Sequence, residues 1–139
     1  MKENTVREFK SPMKPWPALE KNASSINLKK EELDLFFFED GIANKPDFLL
    51  IHGLGDEADT WRHVFLPLSK SYHVVAVDLP GFGRSTKPKR KYTPKFLMET
   101  LKSFMDRLQI ERAILMGNSL GGILAHAIAA FDPSRVIGL

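Results

Sequence analysis

The sequence contains no cysteine and no long hydrophobic run. The absence of cysteine from all 139 residues excludes disulfide bonds, thiolate catalysis and cysteine–zinc sites, and it fits a reducing compartment. No apolar run approaches the roughly 20 residues that a membrane-spanning helix needs. The first ten residues alternate charged and polar side chains and lack the apolar stretch of a secretory signal. We therefore expect a cytoplasmic protein without a membrane span.

An excess of charge of one sign is also missing. The 20 Lys and Arg residues against 17 Asp and Glu residues leave a formal net charge of +3, which is small and scattered, so a nucleic-acid partner is not indicated. The chain is 43% hydrophobic and 27% charged, which is typical of a globular protein of about one domain. We predict neither a metal nor a cofactor, and the composition leaves the oligomeric state open.

Short apolar runs alternate with helical segments along most of the chain. The predicted strands cover residues 33–38, 48–51, 74–77, 113–116 and 136–139. The three middle runs are apolar throughout, which predicts strands buried on both faces. Residues 26–28 offer the first strand a partner. Strands that alternate with helices in this way indicate an α/β fold with a mostly parallel sheet and flanking helices.

Three helical segments separate these strands. In the first, Trp61, Phe65 and Leu68 share one face. The second begins after Thr93, a suitable N-cap residue that is followed by proline. The third, Leu120–Phe131, is apolar on nearly all sides and is predicted to be buried.

Glycine-rich segments follow three of the predicted strands, at residues 52–59, 78–85 and 117–121. In sheets of this type, chemistry collects at the carboxyl ends of the strands. We therefore expect these three loops to form one site. Within the second loop, Asp78 is predicted to hydrogen-bond the backbone of its own loop.

The most informative motif is Gly117-Asn118-Ser119-Leu120-Gly121. It lies between an apolar strand and a helix, which is the context in which G-x-S-x-G presents a nucleophile. A Cβ at either glycine would collide with the neighbouring strand or helix, and the serine is held on a tight, strained turn. The motif predicts that Ser119 is a nucleophile.

A serine nucleophile needs backbone donors for the oxyanion that develops on the substrate. The N–H of Leu120 lies directly after the serine at a helix N-terminus and suits this role. The loop His52-Gly53-Leu54-Gly55 follows another strand and offers the N–H of Leu54 as the second donor.

The serine also needs a histidine base and a carboxylate, but no histidine of the chain is well placed. His126 lies seven residues after Ser119 on the same helix, about 10 Å along its axis, and is expected to point away. His52 is interpreted as a structural hydrogen-bonding residue of its loop. His63 lies within the first helix, and His73 begins its strand at the other end of the sheet.

A competing motif is Gly53-x-Gly55-x-x-Ala58, with Asp78 following twenty residues after Ala58. This pattern matches the dinucleotide-binding fingerprint of an oxidoreductase. However, three carboxylates surround the helix start that would receive a pyrophosphate, and they would repel it; they are Asp56, Glu57 and Asp59. The dinucleotide interpretation also leaves the serine motif unexplained, so it is the weaker alternative.

Three segments together resemble the α/β-hydrolase superfamily. Phe48–Gly55 is similar to its third strand and oxyanion loop. The stretch DLPGFGRSTKPKRKYT, Asp78–Thr93, is similar to a loop typical of its esterases and carbon–carbon hydrolases. GNSLGG, Gly117–Gly122, resembles its nucleophile elbow. The three segments occur in the family's order.

The resemblance implies hydrolysis of a small ester or related carbonyl substrate through an acyl-enzyme on Ser119. It implies the N–H groups of Leu54 and Leu120 as oxyanion donors. The surrounding motif residues would support them; these are His52, Gly53, Gly55, Gly117 and Gly121. Because the elbow holds serine and not aspartate, the resemblance disfavours haloalkane dehalogenases and epoxide hydrolases.

In the family's order the acid and the histidine follow the nucleophile. We therefore expect residues 28–139 to be the N-terminal part of an α/β-hydrolase domain, truncated after the elbow helix and the start of the next strand. Residues 1–27 carry three prolines and many charges, which predicts an extended arm. The isolated chain is expected to be nearly inactive. The remaining alternative is a non-catalytic half-domain that associates through the strand edge at 136–139.

Overall fold

The computed structural model describes residues 14–139 and contains one six-stranded sheet. Its strands are β1 (Ala23–Leu28), β2 (Leu33–Asp40), β3 (Asp47–Ile51), β4 (His73–Val77), β5 (Ala113–Gly117) and β6 (Val136–Gly138). They lie in the order β1-β2-β4-β3-β5-β6. The pairs β3–β4, β3–β5 and β5–β6 are parallel, whereas β1–β2 and β2–β4 are antiparallel. The predicted α/β class and mostly parallel sheet are confirmed.

Three α-helices flank the sheet. They are α1 (Phe65–Ser69), α2 (Pro94–Arg107) and α3 (Leu120–Phe131), and short 3-10 helices cover Pro17–Asn22, Ala58–Trp61 and Pro133–Arg135. The Thr93 hydroxyl accepts a hydrogen bond of 3.1 Å from the N–H of Phe96, so the predicted N-cap of α2 is confirmed. No helix within residues 14–139 has the length and apolar character needed to cross a membrane.

The first helical segment is two short pieces rather than one helix. A 3-10 helix ends at Trp61 and α1 begins only at Phe65. Pro67 explains the interruption, because a proline ring clashes with the carbonyl four residues earlier and is tolerated only in a first turn. Trp61, Phe65 and Leu68 still pack on the same side of the sheet.

Residues 17–27 pack against the sheet and are not an extended arm. Strand β1 pairs with β2 along its full length, from Ala23 opposite Phe38 to Leu28 opposite Leu33, and Leu19 is fully buried. The predicted domain boundary between residues 27 and 28 therefore falls inside a strand. The predicted pairing of residues 26–28 with the strand at 33–38 is confirmed, but β1 begins earlier, at Ala23. The sequence does not reveal this earlier start because an edge strand with one covered face needs few apolar residues. Residues 1–13 of the predicted arm lie outside the described residues.

The sheet has a hydrophobic core on each face. Helices α2 and α3 cover one face, and α1 with the 3-10 helix at Ala58–Trp61 covers the other. Strands β3 and β4 are buried at every residue, as their continuous apolar runs predict. In β5, Ile114 and Met116 are only half-buried, so the prediction of burial on both faces fails there.

Helix α3 is not buried on all sides, contrary to the prediction from its composition. Leu124 and Ile128 face the sheet and are buried, whereas Ile123 is 61% exposed and Phe131 is 80% exposed. The helix packs against β3, β5 and α2, and these neighbours cover one side of it. Because α3 is apolar on all sides and its neighbours cover only one side, the opposite face is apolar and is not covered by any of residues 14–139.

A buried ionic cluster lies at the amino ends of the central strands, where β3 and β4 begin. His73 contacts two carboxylates, with Nδ1 2.7 Å from Asp47 Oδ1 and Nε2 2.9 Å from Glu39 Oε1. Lys45 also binds Asp47, at 2.7 Å. The hydrogen bond to Glu39, reinforced by Asp47, raises the pKa of His73 against the opposing effect of burial. The folded state thus favours the imidazolium form.

We expect His73→Asn to lower the free energy of unfolding by about 1–3 kcal/mol at pH 6, because it removes charge-assisted hydrogen bonds. A pKa raised by folding contributes stability that is complete below the ordinary value of about 6.5 and is lost as pH rises through the folded-state value. The difference between wild type and variant should therefore shrink by pH 9. Urea unfolding at both pH values measures it.

The matched control is His63→Asn, because His63 is an exposed histidine. This variant should change the free energy of unfolding by less than about 0.5 kcal/mol at either pH, because substitutions at exposed positions have small effects. An equal loss of stability at pH 6 and pH 9 in His73→Asn would show that packing, and not charge, governs the cluster.

Candidate active site

Strand β5 passes into helix α3 through a sharp turn at Ser119. This residue has φ 51° and ψ −115°, a left-handed conformation that is rare for a residue other than glycine. Hydrogen bonds hold the turn: Asn118 N–H donates to the Ile51 carbonyl at 3.1 Å, and Gly121 N–H donates to the Asn118 carbonyl at 2.9 Å. Ser119 itself is exposed. The surrounding structure therefore stabilises a strained residue at the surface, a feature that clusters at functional sites.

The two glycines of the motif allow this close packing. A Cβ on Gly117 would lie 2.3 Å from the carbonyl of Gly121, and a Cβ on Gly121 would lie 2.0 Å from the Ile51 oxygen. Neither neighbour is a flexible side chain, so neither can move aside cheaply. The collisions expected from the sequence at both positions are confirmed.

The loop after β3 lies directly beside this turn. A Cβ built on Gly53 would be 3.4 Å from the Cβ of Ser119 and 3.4 Å from the Asn118 oxygen. Gly55 has φ 72°, a conformation that glycine adopts without strain, and Leu54 is 75% exposed. The structure therefore brings the first and third glycine-rich loops together, as expected from their positions after β3 and β5.

Several backbone N–H groups at this junction have no acceptor among the described residues, and those of Leu54 and Leu120 are among them. The turn hydrogen bonds run from Asp56 N–H to the Gly53 carbonyl and from Ile123 N–H to the Ser119 carbonyl. They leave the N–H groups of Leu54 and Leu120 without a hydrogen-bond partner within residues 14–139. Unpaired amides at a helix start and in an adjoining loop can donate hydrogen bonds to a negatively charged group of a ligand.

His52 is a fully buried residue that connects the first loop to the second. Its Nε2 lies 2.9 Å from the N–H of Leu79 and its Nδ1 lies 2.7 Å from the carbonyl of Gly53. Because an amide N–H can only donate, Nε2 must accept and Nδ1 must carry the proton. Burial lowers the pKa of His52, which favours the neutral ring that these two partners require.

Asp78 anchors the second loop. It is fully buried; its Oδ1 accepts from Ala58 N–H at 2.7 Å, and its Oδ2 accepts from the N–H and Nε–H of Arg84 at 2.8 Å each. The predicted hydrogen bonding of Asp78 to its own loop is confirmed. The carboxylate is sealed from solvent and cannot reach a ribose, which removes the basis of the dinucleotide interpretation.

Arg84 is a site residue that the sequence pattern did not identify. Its guanidinium also pairs with Asp59 and lies 4.0 Å from the centre of the Phe36 ring. No spacing rule relates residues 36, 59 and 84, because only the fold brings them together. An arginine in a loop next to a buried strand-end aspartate was the only available signal.

The remaining histidines do not reach Ser119. His126 hydrogen-bonds back to the Gly122 carbonyl of its own helix at 2.8 Å, His63 is exposed and His73 lies at the opposite end of the sheet. Within residues 14–139 no hydrogen bond joins the Ser119 side chain to a histidine or carboxylate. The same residues contain no group of three potential His, Asp or Glu metal ligands.

We expect Gly121→Ala to lower the free energy of unfolding by about 3 kcal/mol, because its Cβ would overpack against the β3 backbone. Gly122→Ala is the matched control: its Cβ would lie 3.4 Å from the nearest atom, the Gly117 oxygen. On the same helix it should change stability by less than about 1 kcal/mol, toward greater stability. Urea unfolding of both variants measures the contrast, and equal effects would contradict the packing argument.

Comparison with known proteins agrees with this architecture. The alpha/beta hydrolase fold family matches residues 46–139. The chain is 40% identical to a pimeloyl-[acyl-carrier protein] methyl ester esterase of Edwardsiella ictaluri over 97 residues, which are 70% of its length. It is 31% identical to epoxide hydrolase 4 of Mus musculus over 116 residues, which are 82% of its length. It spans 36% and 32% of those two relatives.

Among solved structures, a bacterial membrane phospholipase A superimposes with a TM-score of 0.77 at 39% identity, covering 82% of this chain and 36% of that one. Sequence, sheet order and structural similarity therefore agree on one assignment. The chain belongs to the α/β-hydrolase family.

Proposed function

We propose that this chain carries the nucleophile of a cytoplasmic serine hydrolase that acts on an ester or related carbonyl substrate. Ser119 attacks the carbonyl carbon and forms an acyl-enzyme, which water then hydrolyses. The single observation that carries the proposal is the strained, exposed backbone of Ser119, with φ 51°, directly beside the Gly53 loop.

The proposed oxyanion donors are the N–H groups of Leu54 and Leu120. Attack by Ser119 places negative charge on the former carbonyl oxygen, and preorganised N–H groups stabilise that charge. The Leu120 N–H also lies at the N-terminus of α3, where the helix dipole favours an anion. Both amides are free to donate, since neither has an acceptor within residues 14–139.

The general base and its carboxylate are proposed to come from residues other than those described near Ser119. His52 has both ring nitrogens engaged, and the other three histidines lie elsewhere. In this proposal the chain is the nucleophile-bearing part of a longer hydrolase. Without the base, turnover by the isolated chain would be lower by a factor of about 10⁶.

The relatives favour ester chemistry. One is named as a methyl ester esterase and one structure as a phospholipase A, and both names describe ester cleavage by those proteins. The epoxide hydrolase relative is a weaker guide, because an elbow with serine does not suit chemistry through an aspartyl ester. We therefore propose an ester-like substrate and leave its acyl and alcohol parts unassigned.

The proposal is tested by covalent labelling of the purified chain with a fluorophosphonate probe, with imidazole added as the missing base. Ser119 Oγ should bond to phosphorus as fluoride leaves, and its proton passes to imidazole. We expect labelling of Ser119 at least about 100-fold faster than of any other serine, because oxyanion donors contribute a factor of this order. Mass spectrometry of tryptic peptides identifies the labelled residue.

Two variants serve as controls. Ser119→Ala should remove the fast labelling, and Ser134→Ala, which alters an exposed serine near β6, should leave it unchanged. Labelling spread evenly over the serines, or undiminished in Ser119→Ala, would overturn the assignment of the nucleophile.

A second candidate function is self-association of a non-catalytic half-domain. The uncovered apolar face of α3, with Ile123 and Phe131, supports it, as does the exposed side chain of Ile137 in β6. This candidate requires a concentration-dependent dimer in size-exclusion chromatography with light scattering, and Phe131→Lys should dissociate that dimer. This function requires a dimer with a Kd below about 100 µM. A wild-type chain that remains monomeric up to about 100 µM would therefore eliminate it.

A further inference from the structure

We propose that residues 79–98, here called the basic segment, dock the chain onto the anionic surface of a lipid bilayer, and that the ring of Phe131 inserts among the lipids. Cations of the segment bind the lipid phosphates, and the ring is buried in the apolar layer beneath them. This interaction goes beyond the proposed hydrolysis and does not depend on the role of Ser119.

The basic segment concentrates positive charge that the overall composition conceals. It contains no carboxylate and six of the 20 Lys and Arg residues of the chain; they are Arg84, Lys87, Lys89, Arg90, Lys91 and Lys95. Of these, Arg84 is paired with Asp59 and Asp78. The other residues hold 14 Lys and Arg against 17 Asp and Glu, so the rest of the chain is acidic. The scattered charge expected from the net value of +3 is therefore wrong for this segment.

The later cations of the segment are exposed and available to a partner. Lys89, Lys91 and Lys95 make no ion pair or hydrogen bond within residues 14–139. Arg90 is exposed as well, and its guanidinium lies 3.8 Å from the centre of the Phe96 ring. Like charges that are close together repel one another, and a surface of negative charge relieves that repulsion.

Hydrogen bonds hold the basic segment in place against the sheet. The Gly81 N–H donates to the Thr86 carbonyl and the Thr86 N–H donates to the Asp34 carbonyl, each at 2.9 Å. The Tyr92 hydroxyl donates to the Pro88 carbonyl at 2.8 Å. Because the backbone is already ordered, binding costs less conformational entropy than it would for a disordered basic tail.

The start of α2 connects the basic segment to an exposed apolar groove. Lys95 and Met98 of α2 line this groove together with Ala127 and Phe131 of α3, and Phe131 is mostly exposed. Cations and an aromatic ring therefore border each other on one surface. Exposed apolar side chains beside cations are typical of segments that lie in the interface of a membrane.

Carboxylates beside the groove do not cancel the attraction of the basic segment. Glu99 Oε1 and Asp132 Oδ2 both face Lys102 Nζ, at 3.6 Å and 3.1 Å. Together with Lys95 these groups balance to zero net charge, so the groove itself is neutral. The cations at residues 87–91 retain their excess charge.

An anionic bilayer complements both features of this surface. Anionic lipid headgroups attract clusters of Lys and Arg, and mobile headgroups can match any spacing of the cations. The apolar layer beneath the headgroups receives the Phe131 ring. A nucleic acid offers phosphates but no apolar layer, and an acidic protein needs carboxylates fixed at matching positions. The bilayer is therefore the favoured partner.

Binding of the purified chain to sedimented vesicles tests the proposal. Vesicles of phosphatidylcholine with about 30 mol% phosphatidylglycerol should bind half of the chain below about 1 mM lipid, and vesicles of phosphatidylcholine alone should bind at least about 10-fold more weakly. Raising the salt from about 0.1 M to about 0.5 M should weaken binding to the anionic vesicles by about 10-fold, because it shortens the Debye length. Equal binding to both kinds of vesicle, or no binding to the anionic vesicles, would overturn the proposal.

Two double variants locate the contact. Lys89→Gln with Lys91→Gln should weaken binding to anionic vesicles by about 10-fold or more, because it removes two cations from the interface. Lys21→Gln with Lys70→Gln removes the same charge from exposed lysines in elements that pack on the face of the sheet opposite α2, and should change binding by less than about 2-fold. Urea unfolding checks that both variants are folded. Equal weakening by the two would show that net charge, and not the basic segment, governs binding.

The insertion of Phe131 has its own matched pair of variants. Phe131→Ala should weaken binding to anionic vesicles by about 5-fold or more, because it removes a large apolar side chain from the bilayer. Ile42→Ala alters an exposed apolar residue in the turn between β2 and β3 and should leave binding within about 2-fold of wild type. An unchanged affinity in Phe131→Ala would refute insertion of the ring.

Soluble anions distinguish the bilayer from other partners. Binding of the chain to polyglutamate or to an RNA duplex, without binding to anionic vesicles under the same conditions, would assign the surface to an acidic protein or to a nucleic acid instead. Displacement of the chain from vesicles by millimolar glycerol 1-phosphate would show a site for a small anion and overturn the proposal. We expect neither result, because a bilayer engages the cations and the Phe131 ring together.

Discussion

The close approach of helix α3 to the end of strand β3 is the constraint on which the site depends. Gly121 touches the Ile51 carbonyl so closely that no side chain fits between them, and Asn118 N–H binds the same carbonyl. These contacts restrict the backbone conformation between Gly117 and Gly121, and Ser119 therefore adopts a positive φ. Packing energy from the whole sheet–helix interface thus maintains strain at one residue.

Buried polar contacts behind the serine turn hold the two loops that lie beside it. His52 connects Gly53 to Leu79, and Asp78 connects Ala58 to Arg84. Each is fully buried, and hydrogen bonds among buried groups are rigid because loss of one partner leaves an unsatisfied polar atom. The two loops beside Ser119 are therefore held by side chains that make no contact with a substrate in the proposed mechanism.

Motif context made the α/β class, the starts of α2 and α3 and the serine turn predictable. The Thr93 cap, the buried runs of β3 and β4 and the glycine collisions depend on a few neighbouring residues, and all are present in the structure. The first half of strand β1 and the exposed face of α3 were wrongly predicted, because both depend on which neighbour covers a surface. Composition alone does not reveal that neighbour.

The amino-acid sequence by itself determined the order of strands and helices and the need for glycine on both sides of Ser119, because these follow from local sterics and periodicity. Only the tertiary structure decided that Arg84 meets Asp59 and Asp78, that Gly53 lies beside Ser119, and that His52 holds its proton on Nδ1. Those facts arise from groups distant in the chain that pack in one place, where burial forces each polar atom to find a partner.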